Sequence, residues 1–224
     1  RKKHYQLAFA TLLTVGESAT AAAQYYELAN QLANVVQPAL SGSFKYKGYA
    51  GASYVKNLGD FNADYIELST SQGFQYATWF YMGAGLGFDL LNSHPNDDWG
   101  NGWDTPTPGS YHRSVTTAVM MPLFTDFRFN IGSPQATNFF IDLRIGCSFL
   151  LTDSWVKINN GYLTDSEYFY LKPTIGVRIP VNPNNSKQAL NLGISYQLLT
   201  SNYWRSYESN GSLSGLGVGV SYEW

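Results

Sequence analysis

Charge is scarce in this chain. Asp, Glu, Lys and Arg make up only 13% of its 224 residues, against about a quarter in ordinary soluble domains. The net charge of −2 leaves no basic surface of the kind that binds nucleic acid. Cysteine is scarcer still. Cys147 is the only one, which excludes an internal disulfide and any zinc site built on paired cysteines. Long apolar runs are missing as well. Every such stretch is broken by Gly, Asp or Arg within about a dozen residues, short of the ~20 that a membrane-spanning helix needs. Aromatics reach 16%, and there are 21 glycines. This combination points to a β-barrel that crosses a membrane with strands.

The first residues read as an export signal. Arg1, Lys2 and Lys3 precede an apolar run from Leu7 to Val15, and Ala21, Ala22 and Ala23 supply the small residues of a cleavage site. The expected signal peptide is 1–23, with cleavage after Ala23. No cysteine follows the cut, so the signal is not that of a lipoprotein. Tyr25, Leu28, Ala29, Leu32, Val35 and Val36 then fall at helical spacing up to Pro38. Residues 24–42 are therefore expected to hold a short periplasmic helix, and 43–224 the barrel.

From Ser43 onward the period is two. The final run sets Leu216, Val218, Val220, Tyr222 and Trp224 against Gly215, Gly217, Gly219, Ser221 and Glu223. QALNLGISYQLL, YFYLKPTIGVRI, NFFIDLRIGCSF, PLFTDFRFNI, FYMGAGLGFDL and DYIELSTSQGFQ alternate in the same way, and SFKYKGYAGASYVK does so less cleanly. That makes eight runs of roughly a dozen residues, longer than soluble strands and suited to a tilted bilayer crossing. Short connections at Tyr76 to Thr78, Gly132 to Asn138 and Val181 to Lys187 alternate with mostly longer ones. This is the pattern of periplasmic turns and extracellular loops. The expected fold is an all-β, eight-stranded antiparallel transmembrane barrel.

One face of these runs carries Lys45, Lys47, Glu67, Asp89, Asp126, Arg128, Asp142, Arg144, Lys172, Arg178 and Glu223, and the other is apolar at its centre. Arg or Lys facing lipid at the midplane costs about 2–4 kcal/mol, so the charged face must line the lumen. An eight-stranded lumen is only wide enough for side chains to fill. Buried charges there must pair, since stripping one of its partner is costly. A salt-bridge network is expected rather than a water-filled pore. Tyr222 and Trp224 belong to the aromatic girdle and resemble the terminal signal read by barrel-assembly machinery.

The stretch Glu67 to Asp89 resembles a strand hairpin of the outer-membrane β-barrel family of Bacteroidetes-type bacteria. The resemblance extends to Pro122-Leu123-Phe124 with Arg128, to Phe139-Phe140 with Asp142-Leu143 and Gly146, and to Pro173 with Gly176 and Arg178. It covers Ser43 to Trp224. It implies the small barrel architecture of the OmpA/OmpX type and brings no catalytic residues with it.

Other chemistry has less to stand on. His94, Asp97, Asp98, Asp104 and His112 share one loop but match no metal-ligand spacing. Ser110 and Ser114 lie near His112 without a nucleophile motif. Trp99, Trp103, Tyr111, Trp155 and Trp204 suit an extracellular surface for glycan or protein, or simply the outer girdle and its loop packing. The expectation is a non-enzymatic envelope protein without metal or cofactor. Its partners are outer-membrane lipid and lipopolysaccharide, assembly machinery, and another envelope protein or a glycan. A narrow porin and a lipid-A-type enzyme are the alternatives, together with a soluble lipocalin-like carrier, which requires the apolar face inside.

Overall fold

The computed structural model describes residues 45–58, 62–94, 114–153, 155–158, 161–163, 165–182, 185–200 and 212–224. The expected signal peptide and N-terminal helix lie outside these residues, as do Trp99, Trp103, Tyr111, Trp204, Asp97, Asp98, Asp104, Ser110 and His112.

Eight strands form a closed antiparallel barrel: β1 (Lys45–Asn57), β2 (Ala63–Ala77), β3 (Phe80–Ser93), β5 (Thr117–Ile131), β6 (Asn138–Leu150), β9 (Glu167–Asn182), β10 (Asn185–Thr200) and β11 (Ser212–Glu223). Around the barrel the order is β1-β11-β10-β9-β6-β5-β3-β2. Each barrel strand thus pairs with its neighbours in the chain, and β1 closes on β11 through a register from Tyr49↔Glu223 to Asn57↔Gly215. Strands of 12 to 16 residues exceed the roughly 9–11 that a tilted crossing requires, so their ends project beyond the hydrocarbon. The turn after β5 begins at Gly132, whose φ of 124° is a left-handed conformation open to glycine.

Large apolar side chains cover the outside. Ile175, Val218 and Ile194 are among the most exposed, at 62%, 61% and 58%. Water would make such a surface costly, and hydrocarbon makes it favourable. Lys47, Glu67, Asp89, Asp126, Arg128, Asp142, Arg144, Lys172, Arg178 and Glu223 are all buried. The arrangement is the reverse of a soluble carrier with an apolar cavity, and that reading is excluded.

The interior has two layers. Toward the loops, Val55, Tyr65, Leu91, Met120, Leu199 and Leu213 form an apolar plug. A small sheet that the sequence did not announce adds to it. Its strands are β4 (Ser114–Val115), β7 (Trp155–Ile158) and β8 (Gly161–Leu163), and it contributes the buried Val156 and Leu163 to the same cluster. Such short strands carry no readable period of two, which is why they stay hidden within loop segments. Below the plug lie the charged groups.

A charged, aromatic-braced lumen as the candidate functional site

Alternation alone aims the ionic side chains inward, and the register decides which of them meet. Near the turn side, Glu223 on β11 receives the Arg178 guanidinium from β9 through Nε at 2.8 Å and Nη2 at 2.9 Å. Lys47 of β1 joins the same carboxylate. Arg178 also donates to the Pro134 carbonyl at 2.8 Å, tying the turn after β5 across the mouth.

In the middle of the lumen, β5 and β6 set Arg128 opposite Asp142 and Asp126 opposite Arg144. Arg128 Nη2 donates to Asp142 Oδ2 at 2.8 Å. Arg144 Nη1 reaches across to Glu67 Oε1 at 3.2 Å and to Ser69 Oγ at 2.9 Å. Its Nε stands 3.9 Å from Asp126 and 3.8 Å from Asp142. Glu67 is held by further donors, Lys172 Nζ at 2.9 Å and Tyr170 OH at 3.0 Å, while Lys172 also donates to Ser53 Oγ at 2.8 Å. These contacts join β2 and β1 to β6 and β9 through the centre of the barrel, far beyond any hairpin partner.

Aromatic rings fill the space between the charges, and glycine makes room for them. Phe124 is flanked in register by Gly85 on β3 and Gly146 on β6. A Cβ on Gly85 would lie 2.4 Å from the Phe124 ring. Phe140 pairs with Gly176, and Gly176 with Gly193; a Cβ on Gly176 would meet the Phe140 ring at 2.6 Å. The guanidiniums then use these rings. Arg128 lies 4.1 Å from the Tyr49 ring centre and 4.3 Å from that of Phe140, and Arg144 lies 4.9 Å from that of Phe124. A desolvated cation over a ring gains up to about 2 kcal/mol. In the sequence the signal for this packing is inward Tyr and Phe on one run facing inward Gly on the next.

The space left among these groups is a cavity of about 50 Å³, bordered by Ser53, Glu67, Arg144, Lys172 and Ser195. Its lining is polar, and it is large enough to hold water, which needs only about 10–15 Å³ on this measure.

One residue departs from the expected lumen set. Lys45, the first residue of β1, is exposed. Among the described residues the buried set is therefore five acids against five bases. Outside, Tyr222 and Trp224 are both 38% exposed, with their rings stacked at 6.2 Å. His94 is exposed at the end of β3, where its N–H donates to the Asn62 carbonyl at 2.8 Å. Trp155 and Ser114 fall in the small loop sheet.

No protein-family model matches the chain, and no curated protein matches it in sequence. Solved structures do resemble it. Neisserial surface protein A matches over 80% of this chain and 98% of its own, at 11% identity and a TM-score of 0.50. The outer membrane enzyme PagL matches over 77% and 97% at 10% identity and a TM-score of 0.49. The outer membrane protein OprG from Pseudomonas aeruginosa matches over 80% and 95% at 7% identity and a TM-score of 0.45. At such identities the likeness to Neisserial surface protein A is one of fold. Fold, apolar exterior and charge-filled interior together define a small eight-stranded outer-membrane β-barrel.

Proposed function

We propose that this chain is a non-enzymatic envelope protein of a Gram-negative, Bacteroidetes-type bacterium, with a structural or surface-interaction role and a lumen that passes no solute. The observation that carries this reading is the continuous filling of the lumen. The Arg178–Glu223–Lys47 group, the Glu67-centred network and the apolar plug follow one another along the barrel, and the cavity beside Glu67, Arg144 and Lys172 measures about 50 Å³. Solute passage would require several of these buried pairs to break together, each break leaving a costly unpaired charge.

With transport set aside, what the barrel offers its surroundings is its lipid-facing wall and its extracellular loops. The wall makes it an anchor among lipopolysaccharide and lipid. The aromatic-rich loops, including Trp99, Trp103, Tyr111, Trp155 and Trp204, offer a surface to another envelope protein or to a glycan. Tyr222 and Trp224 are the residues that assembly machinery would read.

Planar-bilayer recordings on the refolded full chain test the closed lumen. The expected result is a heat-modifiable band in SDS, establishing the folded barrel, with no conductance steps above the lipid baseline. Steady ion current from the same preparation would replace this reading with that of a narrow porin. Lipid A of altered mass in membranes carrying the protein would replace it with an enzyme.

A further inference from the structure

Among the described residues, Asp89 is the acid of the central lumen that makes no ion pair. Glu67, Asp126 and Asp142 stand against Arg128, Arg144 and Lys172, three charges of each sign, linked by the contacts already described. Asp89 is 1% exposed and sits directly across the β2–β3 ladder from Glu67, where like charges repel. Among the described residues no cation lies within ion-pair distance of it. Among those residues, its one side-chain hydrogen bond comes from Gln197 Nε2 on β10, 3.2 Å from Asp89 Oδ2. The second oxygen of the carboxyl, Oδ1, and the oxygen of the same amide, Gln197 Oε1, are both buried and without a partner.

We infer that Asp89 is a neutral carboxylic acid whose proton, on Oδ1, is donated to Gln197 Oε1. A carboxylic acid and a primary amide form a closed pair in which each group donates once and accepts once. A single proton therefore satisfies both orphaned oxygens. It also removes the like-charge contact with Glu67 and leaves the central cluster balanced. The pair has a mechanical consequence. β3 and β10 are separated by three strands in either direction around the barrel, so Asp89 and Gln197 form a crossbar between opposite walls. The groups facing Asp89 are Glu67 and Tyr65 from β2, Tyr170 and Lys172 from β9, and Arg144 from β6. The residue paired with it on β5 is the uncharged Met120. Loss of the proton places a second anion beside Glu67, pulls Lys172 and Arg144 toward it, and leaves the crossbar with the Gln197 Nε2 bond alone.

Infrared spectroscopy of the refolded protein in lipid tests this. The wild type is expected to show a protonated-carboxyl C=O band that shifts in D2O and is absent from Asp89→Asn. The asparagine variant is expected to unfold at the same urea concentration as wild type, because its amide reproduces both hydrogen bonds. Asp89→Ala, which makes neither, is expected to unfold at lower urea. A wild-type spectrum lacking any band that Asp89→Asn removes overturns the inference. So does a wild type that loses stability when sodium and divalent ions are exhaustively removed, since a bound cation then stands where the proton was placed.

Discussion

Gly48 and Trp224 exchange two backbone hydrogen bonds, of 3.1 and 3.0 Å, at the seam where β1 closes on β11. The indole of Trp224 covers Gly48 from outside: a Cβ on that glycine would lie 2.4 Å from the ring. Every other strand pair of the barrel joins neighbours in sequence, so this seam is the contact with the longest loop to close and the last support it can spare. Its geometry accounts for an aromatic at the end of β11. Gly48→Val drives the indole off the seam and is expected to cost about 1–3 kcal/mol, as overpacking of a fitted site does. Urea unfolding followed by tryptophan fluorescence reads both the shifted midpoint and the more exposed indole. An unchanged midpoint and emission would remove the seam from the account.

Arg128→Met tests whether the lumen pairs hold the barrel. The guanidinium is 2% exposed and lies against Asp142, with Arg144 only at 3.8 Å from the same carboxylate. Leaving Asp142 short of its cation is expected to cost about 3–5 kcal/mol. The double variant Arg128→Met with Asp142→Leu removes both charges and is expected to recover most of that loss, because a well-packed apolar pair replaces a buried ion pair at little cost. The two unfolding midpoints decide it. A double variant as unstable as the single one contradicts the assignment.

Two arginine substitutions on the outer face test the bilayer position. Ile175 lies mid-strand and 62% exposed, while Val181 lies near the turn end of the same strand and 53% exposed. Ile175→Arg is expected to cost about 2–4 kcal/mol, and Val181→Arg about 0–1 kcal/mol, because the penalty falls from midplane to interface. Refolding titrations into lipid vesicles measure both. Equal costs would mean that depth does not matter, and the hydrocarbon belt would be misplaced.

Much of this barrel is legible in the sequence because one physical rule repeats along it. A strand between lipid and a packed lumen must alternate, so Ile194 and Ser195, or Val218 and Gly219, announce their faces without reference to any partner. Pairing is different. That Glu67 meets Arg144 and Lys172, and that Asp89 meets Gln197 instead of a cation, depends on the tilt and stagger of the closed barrel. No local pattern carries that information. Lys45 misleads for a related reason, since it shares its alternation with the buried Lys47 but begins the strand and is exposed. The small loop sheet, with strands of only 2 to 4 residues, is too short for any period to show.

The most direct test of the whole account is a methyl-resolved NMR spectrum of the unmodified protein in lipid nanodiscs, recording which methyl groups show cross-relaxation to acyl chains and which to water. Ile194, 58% exposed on the outer face, is predicted to contact acyl chains, and Leu199, fully buried in the plug, neither acyl chains nor water. Water contacts at Leu199 would reveal an open lumen, and water in place of lipid at Ile194 would overturn the placement of the barrel in a membrane.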